Sequence, residues 1–237
     1  MATQPQIVEG RINYQAPMDR RARIFAGDYS RNEAEFEPHV MAIVDGSLPP
    51  IETDLDREGF RLVRHASAVT DFDDQDQYER IYKPEVAALL CALTGADHIE
   101  LVGNGVVRRT ARATGLDRDD TTMPVHFPHI DASDTGIRML LDFALPDRLK
   151  GARRWAFYNS WRQLAVPPVD EPLAVCDARS IAAGDLVPYD SYFPNGMVIE
   201  SLMLRYNPDH RWVFFSRMGR DDLLIFKAND SDTSKAH

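Results

Sequence analysis

The densest chemistry in the chain lies between Met123 and Ser133, which reads MPVHFPHIDAS. His129 and Asp131 stand two apart. On an extended strand such residues face the same side, so an imidazole and a carboxylate can converge on one ion. With a distant histidine they form the 2-His-1-carboxylate face of a non-haem Fe(II) site, which leaves positions open for a cosubstrate and oxygen. A structural reading stands beside this one, in which Asp131 only orients His129. His126 extends the pattern to His-x2-His-x-Asp, a set that also suits zinc, with metal-bound water as the nucleophile of a hydrolase. The residue two beyond His126 is Pro128, which cannot ligate, so His126 is read as supporting the ligands from behind or as packing.

Polar residues inside apolar runs are the second signal. Asn159 and Arg162 lie in YNSWRQL, His210 precedes Arg211 and Trp212, and Lys227 follows LLIF. Burying a guanidinium, an ammonium or an amide is costly without a partner, and an acidic ligand is a natural one. A local acid such as Asp170 is the plainer partner for Arg162.

The elements that must carry these residues follow from periodicity. Residues 1–35 alternate charge with isolated apolar positions and read as an arm over a domain surface. MAIVDG and GFRLV read as short extended pieces, and the acidic run from Asp71 to Asp76 as a solvated loop and helix start. From Lys83, apolar residues recur at Val86, Leu89, Leu90 and Leu93, with Pro84 in the first turn and Gly95 as the stop. HIELVGN reads as a strand and RRTARATGLDRDDTT as a polar excursion. A second amphipathic helix follows Asp134, using Ile137, Leu140, Leu141 and Ala144. Beyond it, RRWAFYNSW, PLAVCDA, SLMLRYN, RWVFFS and DLLIFKAN are β-type runs separated by turn residues. Five such runs without intervening helices predict a sandwich or barrel rather than a doubly wound sheet. One domain over 1–237 is expected: an arm (1–35), a strand and helix support region (36–122) and a β core (123–237).

Composition narrows the function. At 237 residues with 44% hydrophobic content, the chain can build a core without metal or crosslink. Its 27 Lys+Arg against 37 Asp+Glu leave a formal charge of -10, which disfavours nucleic acid as a partner. Cys91 and Cys176 lack the spacing of a zinc knuckle or redox pair and read as reduced, buried and inert. No apolar window approaches the ~20 residues a membrane helix needs, and a cytoplasmic protein is expected.

An ordered series of segments resembles one family of secondary-metabolism oxidoreductases. They are GFRLVRHASAVTDFDD, YKPEVAALLCALTGA, the Arg108–Arg109 pair in VVRR, PVHFPHIDAS, YNSWRQL, DEPLAVCDARSI, NPDHRWVFFSRM and DDLLIFKANDSD. The family contains fungal gibberellin-desaturase-like and novofumigatonin endoperoxidase-like enzymes and a bacterial cephamycin 7-methoxylation component. The resemblance, from about Tyr14 to Asp232, implies a mainly β fold with packed helices: a double-stranded β-helix, jelly-roll and cupin-like. It implies Fe(II) with 2-oxoglutarate as cosubstrate and oxidation of a small molecule by hydroxylation, desaturation or cyclisation. His129 and Asp131 are then metal ligands. Asn159, Arg162 and Lys227 are candidates for the cosubstrate, and Trp161, Tyr206 and Trp212 for the substrate. In the family the distal iron histidine and the 2-oxoglutarate arginine follow the DDLLIFKANDSD-like run, which places them beyond His237. Within the chain His210 is the expected substitute third ligand, ahead of His237. A homodimer or a pathway partner enzyme is the expected association, and a non-catalytic barrel serving such an enzyme is the rival function.

Overall fold

The computed structural model describes residues 5–103, 105–109, 123–144 and 151–236. Eleven strands among them form three sheets. The first has the order β1-β3-β10-β7, from β1 (Gln6–Gln15), β3 (Phe36–Asp45), β10 (Trp212–Phe214) and β7 (Ala174–Cys176). The second is β4-β11-β6, from β4 (Phe60–Arg64), β11 (Asp222–Asp230) and β6 (Ala156–Trp161). The third is β2-β8-β9-β5, from β2 (Arg23–Phe25), β8 (Leu186–Tyr192), β9 (Val198–Leu204) and β5 (His129–Ile130).

The five late β-type runs form β6, β7, β9, β10 and β11, and MAIVDG and GFRLV lie in β3 and β4. The strand β8, whose LVPYDSY carries a proline, an aspartate and a serine, had no apolar pattern to announce it. Two expectations are corrected. Residues 6–15 are not an arm laid over a surface but a ten-residue strand paired antiparallel with β3 from Gln6↔Asp45 to Gln15↔Phe36. Residues 98–103 form no strand. There Ile99 and Leu101 pack as separate apolar anchors beside the helical layer, which needs no ladder.

The helices form where periodicity placed them. Asp74 accepts the amide protons of Asp76 and Gln77, capping α1 (Gln75–Gln77), and a wide turn leads through Tyr78–Tyr82 into α2 (Lys83–Thr94). Gly95 closes α2 in the left-handed conformation at φ 68°, a geometry glycine adopts without steric cost. The third helix, α3 (Asp134–Ala144), follows the His-x-Asp segment. No helix among the described residues is long and apolar enough to cross a membrane. Both cysteines are free and partly accessible rather than fully buried, and burial pushes the Cys176 thiol up to about 11. The excursion expected at 108–122 lies, from residue 110 onward, outside the described residues.

Strand β11 is covered on both faces. Leu223 and Ile225 pack with Val86 and Leu90 of α2, while Leu224 meets Phe60, Val175 and Val213 between the sheets. Lys227 continues the α2-facing side, opposite Tyr158 of β6, and a bulge between Lys227 and Asn229 then shifts the register. As a result the Lys227 ammonium is fully enclosed between Asp56 Oδ1 at 2.6 Å and Asp230 Oδ2 at 2.7 Å. Arg154 bridges the same two carboxylates, and although burial pushes the Asp230 carboxyl up, its bonds to Arg154 and Lys227 outweigh that and hold it down to about 2. Asp230 therefore contributes stability above its unfolded value of 3.8, and that contribution is lost as pH falls through about 2. Because Arg154 and Asp56 are partly solvated, the contribution is about 1–2 kcal/mol. Asp230→Asn is expected to lower the unfolding free energy by that amount at neutral pH. Urea unfolding should show the gap from wild type narrowing as pH is taken below about 4.

Candidate functional site

The His-x-Asp segment is held by β9. Strand β5 is only two residues long and pairs antiparallel through His129↔Met203 and Ile130↔Leu202. Just past it, Ser201 Oγ donates to the Asp131 carbonyl at 2.6 Å, and Ser133 N donates to the Glu200 carbonyl at 2.8 Å. Ser133 Oγ then serves α3, accepting from Gly136 N at 3.0 Å and donating to Glu200 Oε1 at 2.6 Å. Arg21 grips the other Glu200 oxygen at 2.6 Å, and Ser133 and Arg21 together keep this carboxylate below its usual range.

As the period of two requires, His129 and Asp131 turn to one side, with Nε2 and Oδ1 3.3 Å apart. His129 Nδ1 lies 3.0 Å from the Phe127 carbonyl, which can only accept, so the proton sits on Nδ1. In the neutral imidazole Nε2 then carries the lone pair on the Asp131 side and can bind an ion, whereas in the charged imidazole Nε2–H donates to Asp131. The other carboxylate oxygen, Oδ2, accepts from Asn159 Nδ2 at 2.8 Å. Side-chain exposures of 26% for His129 and 49% for Asp131 leave room for a ligand to reach both. Burial opposes ionisation of Asp131, yet hydrogen bonds from His129 and Asn159 and the field of Arg108 hold its carboxyl below the usual range. Burial also disfavours the charged imidazole of His129, but Asp131 outweighs that and raises it. Arg108 is tied to the Met123 carbonyl at 3.0 Å, which fixes its charge near the pair.

This donor set fits a first-row divalent ion. Two donors on adjacent vertices of an octahedral ion with bonds of about 2.1 Å stand about 3.0 Å apart, close to the observed separation. A histidine that gives its second N–H to a backbone carbonyl has the outer-sphere support typical of metal ligands. Among the described residues, no group of three His, Cys, Asp or Glu side chains converges as a metal cage.

The other sequence candidates divide sharply. Asn159 joins the pair, and Trp161, two residues along on the same face of β6, points into the space between the sheets with its indole N–H buried and without an acceptor. Arg162 does not join. It donates to the carbonyls of His65 and Arg220 at 2.8 and 2.6 Å and lies over the Tyr82 ring, on the α2 side. Lys227 is consumed by Asp56 and Asp230. His210 is stacked on Tyr14, with Nε2 3.2 Å from Asp185 and Nδ1 3.1 Å from the Tyr14 hydroxyl. Asp185 takes the Nε2 proton and the Tyr14 hydroxyl occupies the Nδ1 lone pair, so His210 as placed has nothing to offer an ion. Trp212 donates its indole N–H to the same hydroxyl at 2.8 Å, and Tyr206 stacks on His39 at 3.6 Å. These three form an aromatic cluster around Tyr14 rather than a pocket wall. His126 is 58% exposed and 3.9 Å from Glu171, so the zinc set of His126, His129 and Asp131 is not assembled. His237 lies outside the described residues.

Three contributors went unread in the sequence. Ser201, Glu200 and Tyr189 had no motif to mark them. Tyr189 is 3% exposed, and burial pushes its hydroxyl up to about 12 against hydrogen bonds from Ser191 and Ser201, beside Asp131. The adjacent polar pair Glu200–Ser201 inside the otherwise apolar VIESLML of β9 was the available signal.

Residues 12–237 match the family described as an oxidoreductase/YMDC permease-like domain. The chain belongs to this oxidoreductase family. Among its relatives, the hydroxylase/desaturase efuI of Hormonema carpetanum is 32% identical over 203 residues, covering 76% of this chain and 68% of that one. An alpha-ketoglutarate-dependent dioxygenase, phiK, from a fungal species is 28% identical over 227 residues, or 93% of this chain and 81% of the relative. The structure of the iron and alpha-ketoglutarate-dependent endoperoxidase NvfI superposes with a TM-score of 0.82 at 23% identity, covering 98% of this chain and 87% of NvfI. That match bears out the expected β-helix fold, and the relatives bear out the family resemblance read from the motifs.

Gly136 is where α3 meets β9. A Cβ there would run into the Glu200 carbonyl oxygen and crowd Ile199 Cγ2 at 3.0 Å. Gly136→Ala is expected to destabilise the protein by about 1–3 kcal/mol, because backbone cannot yield as a side chain does. Equilibrium unfolding measures this; an alanine variant as stable as wild type would contradict the close seating of α3.

Proposed function

We propose that this oxidoreductase is a mononuclear Fe(II), 2-oxoglutarate-dependent oxygenase that hydroxylates, desaturates or cyclises a small-molecule secondary metabolite. The observation that carries the reading is the convergence of His129 Nε2 and Asp131 Oδ1 at 3.3 Å, with the Nδ1 proton committed to the Phe127 carbonyl. The names of efuI, phiK and NvfI, which span hydroxylation, desaturation and endoperoxidation, support the same chemistry. Bound Fe(II) supplies oxygen activation coupled to oxidative decarboxylation of 2-oxoglutarate.

The chain's own residues have narrower tasks. His129 and Asp131 would hold the metal through Nε2 and Oδ1. Asn159 fixes Asp131 by binding the oxygen that faces away from the imidazole, so it is a positioning residue rather than a cosubstrate holder. Arg108, whose charge reaches both ligands, offsets the negative charge that an acidic cosubstrate would bring. Trp161, with its unsatisfied indole N–H between the sheets, is the candidate to donate to a substrate oxygen. Among the described residues the third metal donor is not present as a His, Cys, Asp or Glu beside the pair.

Anaerobically purified protein is expected to bind about one Fe(II) per chain, and with oxygen to release succinate from 2-oxoglutarate. Asp131→Ala should abolish iron binding, whereas Asn159→Ala should weaken it by roughly 10–100-fold, the usual effect of removing an outer-sphere partner. Titration of the apo variants with Fe(II) measures both. An Asp131→Ala protein that held iron as tightly as wild type would overturn the assignment.

A further inference from the structure

Strand β1 is the outer strand of its sheet, hydrogen-bonded to β3 on one side only. Among the described residues no strand pairs with its other side, and Gln6, Ile7, Glu9 and Arg11 are exposed. The parity of its backbone is fixed by Ala16 N, which donates to the Glu35 carbonyl at 2.9 Å in register with the β1–β3 ladder. Even-numbered residues therefore bond to β3, and the N–H and C=O groups of Ile7, Glu9, Arg11 and Asn13 point outward, unpaired within the sheet. The exposed edge over residues 6–11 is a template for another strand unless something blocks it.

We infer that a second copy of this chain docks here, pairing β1 antiparallel with the partner copy's β1 about a two-fold axis through Gly10. Three registers near the middle of the strand would match outward groups with outward groups. Centring on Glu9 sets glutamate against glutamate, and centring on Arg11 sets arginine against arginine. Centring on Gly10 sets Glu9 against Arg11 and Arg11 against Glu9, with Val8 opposite Ile12. Only this register is charge-complementary at every central position, and the two-fold applies it twice. Neither Glu9 nor Arg11 makes an ion pair with another described residue, so both are available to a partner. Gly10 brings no side chain of its own to the axis; the place a Cβ would take is filled by Ile43, whose Cδ1 stands 2.5 Å from it. The result is a continuous sheet of eight strands, with the exposed Ile7 and Val40 on its outer face near the seam.

Sedimentation equilibrium on the whole protein tests this. Wild type is expected to be dimeric, with the single reversals Glu9→Arg and Arg11→Glu each weakening self-association by about 10–100-fold, since each sets like charges together at two places. Mixing the two reversed proteins should restore a dimer, because each then meets its opposite, and the double reversal in one chain should dimerise with itself. These side chains are exposed, so circular dichroism should show both single variants folded as wild type. A wild type that stays monomeric to millimolar concentration would overturn the inference, as would a dimer indifferent to the single reversals or a mixture that fails to reassociate. Iron binding and succinate release are measured separately, so loss of the dimer with chemistry intact, or the reverse, identifies which reading has failed.

Discussion

The candidate site depends on the seating of a two-residue strand. Strand β5 has too little ladder to hold itself, and a short pairing at a sheet edge is a weak platform for two side chains that converge on one point. The fastening comes from side chains of β9 and its surroundings. Ser201 takes the Asp131 carbonyl, Glu200 takes Ser133, and Arg21 takes Glu200. Arginine at 21, serine at 133 and glutamate at 200 are far apart in the chain, so the site forms only when the third sheet has closed. Tyr189 and Phe127 then pack around the pair, with ring centroids 6.2 Å apart, so that His129 cannot swing freely.

The sequence revealed the chemistry better than its surroundings. Period-two geometry alone put His129 and Asp131 on one side, and the helices around Val86 and Ile137 followed from spacing and caps. Burial cost correctly predicted that Arg162, Lys227 and His210 would need partners, but could not say whether those partners were ligands or protein. The structure supplies protein in all three cases: backbone carbonyls for Arg162, Asp56 and Asp230 for Lys227, and Tyr14 with Asp185 for His210. Those partners lie 25 to 196 positions away in all but one case, and a single sequence does not carry such pairings. For Lys227 the deciding detail is which face of β11 it occupies. With both faces buried, β11 reads as a continuous apolar run, and no alternation marks the side that looks toward the site.

The N-terminal strands show why an extended, mixed-polarity edge strand resembles a surface arm in the sequence. A strand at a sheet edge buries one face at most, and β1 alternates accordingly, with Val8 and Ile12 inward and Glu9 and Arg11 outward. Over ten residues that pattern looks like a polar arm with occasional anchors. What separates the two is the partner: β3 satisfies half the backbone groups of β1, and Tyr14 at its end is fully enclosed by His210, Trp212 and Tyr206.

Each sheet joins early strands to late ones: β1 and β3 to β10 and β7, β4 to β11 and β6, and β2 to β8 and β9. Contacts at such separation make closure entropically expensive, so the order in which strands pair matters for folding. The consequence for the site is direct. His129 and Asp131 are borne by β9, β9 is paired to β8, and β8 is covered on its far side by β2, which brings Arg21 within reach of Glu200. The geometry of the His129–Asp131 pair is therefore set as much by residues near the start of the chain as by the motif that announces it.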